Sequence, residues 1–177
     1  QRVGIWCGNC HIHGNLIQSN KESGIDISSS NNTLIENNII SGNNLPNGYG
    51  ILYLFSTNLV IKDNEIVDNR VGVGIISSSA EIFLNDIKNN SEVGLIANQG
   101  SGGTKVYQNN FLGNTISAQS EDSVTFSPSQ VLGGNYWSDY STSCFETNND
   151  NFCDEPYPFS GGTIKVNGTL GNEVTFR

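Results

Sequence analysis

Two cysteines and a histidine stand close together near the start of the sequence, in the segment CGNCH. The spacing of Cys7, Cys10 and His11 matches the attachment pattern of c-type haem, in which two thiols bind the vinyl groups and the histidine ligates the iron. The same two cysteines can instead form a disulfide across a tight turn. The segment therefore predicts a structural disulfide, with haem c and an electron-transfer role as the alternative.

The only two histidines, His11 and His13, are two residues apart. Side chains at this spacing lie on the same face of a strand, which permits binding of a transition metal. Two imidazoles without a nearby third ligand make a weak metal site. An ordinary outward-facing pair is therefore the favoured interpretation.

Near the C-terminus, oxygen-bearing groups recur at every second position of the segment NNDNFCDEPYPF. The side chains of Asn148, Asp150 and Asp154 and the carbonyl of Phe152 alternate as the ligands of a calcium loop do. Cys144 and Cys153 flank this segment and form a second close pair of cysteines. Two such pairs predict disulfides made outside the cytosol, with Cys7–Cys10 and Cys144–Cys153 as the simplest of three connectivities. Sequons at Asn31, Asn89 and Asn167 permit glycosylation.

An internal repeat of 20 to 26 residues dictates the elements that must position these groups. One asparagine marks each repeat, an aliphatic residue precedes it by three positions, and a large apolar residue follows it by two. A second asparagine follows most of them by five positions, and Gly-aliphatic pairs begin several repeats. The aligned asparagines are Asn15, Asn38, Asn64, Asn85, Asn109 and Asn135; the preceding residues are Ile12, Ile35, Ile61, Ile82, Val106 and Leu132; the following ones are Ile17, Ile40, Ile66, Ile87, Phe111 and Trp137; the second asparagines are Asn20, Asn43, Asn69, Asn90 and Asn114; and the pairs begin at Gly4, Gly24, Gly50, Gly74 and Gly94.

This pattern predicts an all-β solenoid, a right-handed parallel β-helix of about six coils. Apolar side chains would stack inward from coil to coil, and buried asparagines would hydrogen-bond to the coils above and below. The 3.6-residue period of a helical solenoid is absent. We assign residues 1–140 to the coils, 141–160 to a disulfide-stapled C-terminal cap and 161–177 to a hairpin-like β tail, all within one domain.

The same alignment identifies the best pair of carboxylates for catalysis. Glu65 and Asp86 each follow an aligned asparagine by one residue, so they would lie on adjacent coils, about 5 Å apart. Two carboxylates at such a distance could cleave a polysaccharide by acid–base chemistry. Their column contains no Lys or Arg to bind an acidic sugar, and a solvated outer face is the favoured interpretation.

Coils such as GIDISSSNNTLIENNIISGNN resemble the parallel β-helix repeats of the NosD-like, carbohydrate-associated family, and the segment GGNYWSDYSTSCFETNNDNFCDEPYPF resembles its terminal motif. The resemblance covers roughly residues 4–160. It implies the same β-helical fold and makes copper a further candidate for the histidine pair. The group includes copper-maturation proteins, sugar-acting enzymes and surface proteins, so several activities stay open.

The charge balance limits the partners. The net charge of −9 disfavours nucleic acid and anionic membranes, both of which need a basic face. No run of about 20 apolar residues could span a bilayer, and a chain that opens within a repeat is expected of a mature or trimmed product. We predict a non-catalytic extracellular or cell-surface scaffold, adhesive or filament-forming, that contacts glycans or like subunits. The alternatives are a polysaccharide lyase or hydrolase and the haem protein.

Overall fold

The structure, a computed structural model, describes residues 1–126 and 134–138. These residues form short strands joined by tight corners, and none of them lies in a helix. In chain order the strands are β1 (Ile5–Trp6), β2 (His11–His13), β3 (Leu16–Gln18), β4 (Ser23–Ser28), β5 (Asn31–Glu36), β6 (Ile39–Ser41), β7 (Tyr49–Leu54), β8 (Thr57–Lys62), β9 (Glu65–Val67), β10 (Val71–Ile76), β11 (Ala80–Phe83), β12 (Asp86–Lys88), β13 (Val93–Asn98), β14 (Lys105–Tyr107), β15 (Asn110–Leu112), β16 (Ile116–Ser120) and β17 (Tyr136–Trp137).

The strands form three parallel sheets that share one core. Sheet A has the order β1-β4-β7-β10-β13-β16, sheet B the order β2-β5-β8-β11-β14, and sheet C the order β3-β6-β9-β12-β15-β17. From β1 to β16 every third strand therefore returns to the same sheet, and the described residues complete about five turns of a parallel β-helix. The predicted fold class is confirmed. The predicted cap and tail, 141–160 and 161–177, lie outside the described residues.

The predicted columns of apolar side chains form the core. Ile35 pairs in register with Ile61, and Ile40 pairs with Ile66, so equivalent residues stack directly. All four are fully buried. The second of these columns ends in Phe111 and Trp137, whose rings stack with centroids 4.5 Å apart. Leu132, the last predicted member of the other column, lies outside the described residues.

Two ladders of buried asparagines fasten successive coils together. Asn64 is representative: its Nδ2 donates to the carbonyls of Ile35 and Lys62 and to Oδ1 of Asn85. Its own Oδ1 accepts hydrogen bonds from both nitrogens of Asn38. The same pattern recurs along the aligned asparagines, and the second predicted series forms a parallel ladder. Each side chain thus satisfies backbone groups at a corner that water cannot reach.

The Gly-aliphatic motif requires one correction. The prediction placed Gly74 in this motif, but Val73 pairs with Ile51 and Leu95, so the equivalent glycine is Gly72. A Cβ on Gly50 would lie 2.7 Å from the carbonyl oxygen of Gly72, which explains the glycine at this position of β7. Gly74 lies instead on the outer surface of sheet A, where its lack of a side chain has a different consequence.

Candidate functional site

The predicted carboxylate pair lies on the outer face of sheet C. Glu65 and Asp86 pair in register on β9 and β12, as the repeat predicted. Together with Asp63 and Asn110 they line a shallow open groove beside the corner between sheets B and C. The structure therefore brings together the two acids that a polysaccharide-cleaving site would need.

A lysine that the sequence analysis did not consider occupies this site. Lys88 lies two residues after Asp86 on β12, and its Nζ is 2.9 Å from Oε1 of Glu65 and 3.4 Å from Oδ2 of Asp86. The hydrogen bond to Glu65 is the largest of the effects that raise the pKa of Lys88. Asn110 donates from Nδ2 to Oδ1 of Asp86 at 2.7 Å. The carboxylates thus bind neighbouring side chains of the protein, as in a surface ion-pair network.

The histidine pair lies at the start of sheet B. His11 and His13 are exposed on the same face of β2, with ring centroids 4.6 Å apart, as predicted. Nε2 of His11 lies 2.7 Å from Oε1 of Glu36, whose other oxygen accepts from Nζ of Lys62 at 2.7 Å. The hydrogen bond from Lys62, and then that from His11, lowers the pKa of Glu36. The His11 imidazole is therefore already bound to the Glu36 carboxylate, which also binds Lys62.

Cys7 and Cys10 form a disulfide, which confirms this half of the predicted connectivity. Both residues are partly buried and pack against the core of the first coil. The turn between them is held by Asn9, whose backbone N–H donates to Oγ of Ser30 and whose Oδ1 accepts from the backbone N–H of Asn31. Haem attachment would need these two sulfur atoms as thiols, and the haem alternative stays a prediction.

An aromatic cluster on sheet B was not predicted. Phe83 and Tyr107 stack with centroids 5.2 Å apart, and the Tyr107 hydroxyl donates to Oε1 of Glu81 at 2.9 Å. Burial, followed by this hydrogen bond, raises the pKa of Tyr107 to about 12. The clue was the spacing of these residues: Phe83 and Tyr107 follow aligned apolar positions of adjacent coils by one residue.

Some of the remaining predicted sites lie within the described residues and others lie outside them. Asn31 and Asn89 are exposed, as glycosylation acceptors must be. Oδ1 of Asn31 accepts a hydrogen bond from Oγ1 of Thr57. Three further predictions lie outside the described residues: the calcium ligands Asn148, Asp150, Phe152 and Asp154, the cysteine pair Cys144 and Cys153, and the sequon at Asn167. They stay predictions.

Comparison with known proteins gives one match. The family described as "Periplasmic copper-binding protein (NosD)" matches residues 3–142, which is well over half of the chain. No curated protein and no solved structure matches. No helix among the described residues is long and apolar enough to cross a membrane. The match spans the coils that carry the asparagine ladders and the apolar columns, and the chain therefore belongs to the NosD family.

Proposed function

We propose that this protein is a non-catalytic scaffold outside the cytoplasm that contacts glycans through its sheet faces. The observation that carries the proposal is the position of Lys88, which binds both Glu65 and Asp86. An acid–base enzyme must present its carboxylates to the substrate. Here the best available pair is bonded to a lysine and an amide of the same surface, which favours a binding surface over a cleaving one.

The location outside the cytoplasm rests on two independent observations. The family is described as periplasmic. The Cys7–Cys10 disulfide is typical of an oxidising compartment, because cytosolic reductants keep most thiols reduced. Adhesion at the cell surface and assembly of like subunits into filaments are finer forms of the same role.

Copper is suggested by the family's description, so the donors of this chain must be compared with what copper requires. The whole sequence has two histidines and no methionine, and the sulfurs of Cys7 and Cys10 are bonded to each other. Within residues 1–126 and 134–138, no three His, Cys, Asp or Glu side chains are grouped so that they could hold a metal ion. Because copper sites use several imidazole, thiolate or thioether ligands, the described residues do not fit a resident copper ion.

The second candidate function is polysaccharide cleavage by Glu65 and Asp86. The specific observation in its favour is their register pairing beside an open groove. The test is release of reducing ends or unsaturated products from a panel of neutral and acidic polysaccharides. We expect no release. Activity that both Glu65→Gln and Asp86→Asn abolish would replace the scaffold proposal with the enzymatic one. Activity that both variants retain would contradict the scaffold proposal and would also show that Glu65 and Asp86 are not the catalytic residues.

A further inference from the structure

The outer face of sheet A carries an apolar platform that none of the functions above uses. It consists of six side chains on three consecutive coils: Tyr49, Leu52, Leu54, Phe55, Ile76 and Ile96. Phe55 is 66 % exposed, and the other five are partly exposed. Contiguous exposed apolar patches on soluble proteins often mark binding sites.

At the centre of this platform an aromatic ring covers the backbone of a glycine. Leu52, Gly74 and Ile96 form one outward row across β7, β10 and β13. A Cβ on Gly74 would lie 2.7 Å from Cε1 of Tyr49 and 3.3 Å from Cδ1 of Leu52. The missing side chain of Gly74 is therefore what allows the Tyr49 ring to cover the backbone here. The Tyr49 hydroxyl makes no hydrogen bond to any described residue and is available to a ligand.

The same row extends along the solenoid axis to polar groups and to a second aromatic residue. Asp26 precedes Leu52 in the row, and Trp6, which is 75 % exposed, precedes Asp26. Gln119 follows Ile96 at the other end. Oδ1 of Asp26 accepts a hydrogen bond from Oγ of Ser28. A ligand that lies along the axis would meet the Trp6 ring, the Asp26 carboxylate, the Tyr49 ring and the Gln119 amide in succession.

The size of the platform argues against a second copy of the chain as its occupant. Its row spans about 10 Å between the Cα atoms of Leu52 and Ile96, since adjacent coils are about 5 Å apart, and its extent along the chain from Tyr49 to Phe55 is about 20 Å. A stable protein interface buries about 800 Å² on each partner. This platform is a fraction of that area and suits a narrow, extended ligand.

The charges on and around the platform indicate which class of narrow ligand it binds. The platform has no Lys or Arg, and Asp26 would repel an anionic ligand. The arginines at the edge of sheet A, Arg2 and Arg70, each pair with a glutamate, Glu22 and Glu92 respectively. Apolar faces of sugar rings stack on aromatic side chains, while their hydroxyls bond to carboxylate and amide groups. We propose that the outer face of sheet A binds a neutral polysaccharide lying along the solenoid axis, with Tyr49 and Trp6 as its stacking platforms. This inference rests on the proposed glycan-contacting function and adds the site and the class of glycan.

The test is affinity electrophoresis of the full chain in gels that contain a neutral soluble glucan or xylan, or an acidic polygalacturonate. We expect retardation by a neutral polymer and none by the acidic one. Tyr49→Ala should weaken the binding about tenfold, because a stacked ring contributes on the order of one tenfold step in affinity. Trp6→Ala should also weaken the binding.

Gly74→Ala provides a sharper variant, because it keeps the tyrosine and displaces its ring. Its matched control is Gly102→Ala, since a Cβ on Gly102 would meet no atom within 4 Å. Leu16→Ala, at a residue 63 % exposed on sheet C, controls for loss of any exposed apolar group. We expect weaker binding by Gly74→Ala only. Circular dichroism of each variant identifies any that fails to fold, and only the variants that fold are compared for binding.

The possible failures are distinct. If no polysaccharide retards the protein, both this inference and the glycan-contacting function are wrong. If a neutral polymer binds but folded Tyr49→Ala, Trp6→Ala and Gly74→Ala bind it normally, or if the acidic polymer binds better, only this inference is overturned. Light scattering that shows a dimer lost in Tyr49→Ala would also overturn it, in favour of a second copy on the platform.

Discussion

A buried asparagine is the residue on which this fold depends most. Most members of the ladders pair their side chains with backbone carbonyls and with the next asparagine, so a corner without ordinary sheet hydrogen bonds stays satisfied. The sequence predicted these positions because the same residue type recurs at one register. Glutamine or serine could not replace it without changing the reach of both the donor and the acceptor.

Replacing one member of the ladder should therefore destabilise the protein strongly. Asn64 is only 3 % exposed and takes part in hydrogen bonds on both sides of its coil. We expect Asn64→Ala to lower the free energy of unfolding by about 3 kcal/mol, because it leaves several buried groups unpaired. Asn110→Ala, which removes one half-exposed bond to Asp86, is the matched control and should cost less than about 1 kcal/mol. Equal losses in urea denaturation would contradict the role of the ladder.

Glu36 should give the protein a specific acid sensitivity. Lys62 and His11 hold the pKa of Glu36 below its ordinary value in the folded state. Its contribution to stability is therefore complete above the unfolded pKa of about 4.3 and is lost as the pH falls through the lower, folded pKa. We expect an NMR titration to find the Glu36 pKa below the ordinary value and to find it raised in Lys62→Met. An unchanged pKa in that variant would show that the ion pair does not form in solution.

The coil is the next unit of structure, and glycines in the strands of sheet A allow successive coils to stack closely. A Cβ on Gly50 would lie 2.7 Å from the carbonyl oxygen of Gly72 and 2.9 Å from Cγ2 of Ile66. Because backbone atoms cannot move aside, we expect Gly50→Ala to lower the melting temperature and to cost about 2 kcal/mol in stability. Gly102→Ala, in open space, should be nearly neutral. A Gly50→Ala protein as stable as the control would mean that the coils can separate without cost.

The first coil carries the disulfide, and its chemistry separates the scaffold from the haem alternative. We expect the intact, non-reduced protein to be lighter than its reduced form by one pair of hydrogen atoms for each disulfide, and to lack absorbance in the Soret region. Sugar on Asn31, Asn89 or Asn167 would add mass. A covalent mass gain equal to haem, with no Cys7–Cys10 bond in the peptide map, would contradict the structural role of this pair.

Considered as a whole, the molecule was more predictable in its fold than in its surface. The Asn38 and Asn64 series and the Ile40 and Ile66 series repeat at fixed registers, and stacking follows directly from such repetition. The pairing of Glu65 with Asp86 followed from the same register and is confirmed. What the repeat could not reveal were contacts between different columns. The Lys88 side chain extends toward the preceding coil, where its Nζ binds the Glu65 carboxylate.

The position of the Tyr49 ring could not be predicted from the sequence for a similar reason. It reaches Gly74, a residue of the next coil whose position the repeat alignment assigned wrongly by two residues. The alignment chose Gly74 because an isoleucine follows it, whereas the strand register selects Gly72, which a valine follows. Surface sites on a solenoid are built from such diagonal contacts, and they become visible only when the register between neighbouring strands is known.

We propose that this NosD-family chain binds a glycan without cleaving it. The most direct measurement is cosedimentation with an insoluble neutral polysaccharide over many hours, with the reducing ends in the supernatant assayed from the same tubes. We predict that the protein stays in the pellet and that no reducing ends accumulate. Reducing ends that rise with time, and that disappear with Glu65→Gln or Asp86→Asn, would contradict the scaffold proposal and establish that the protein is an enzyme.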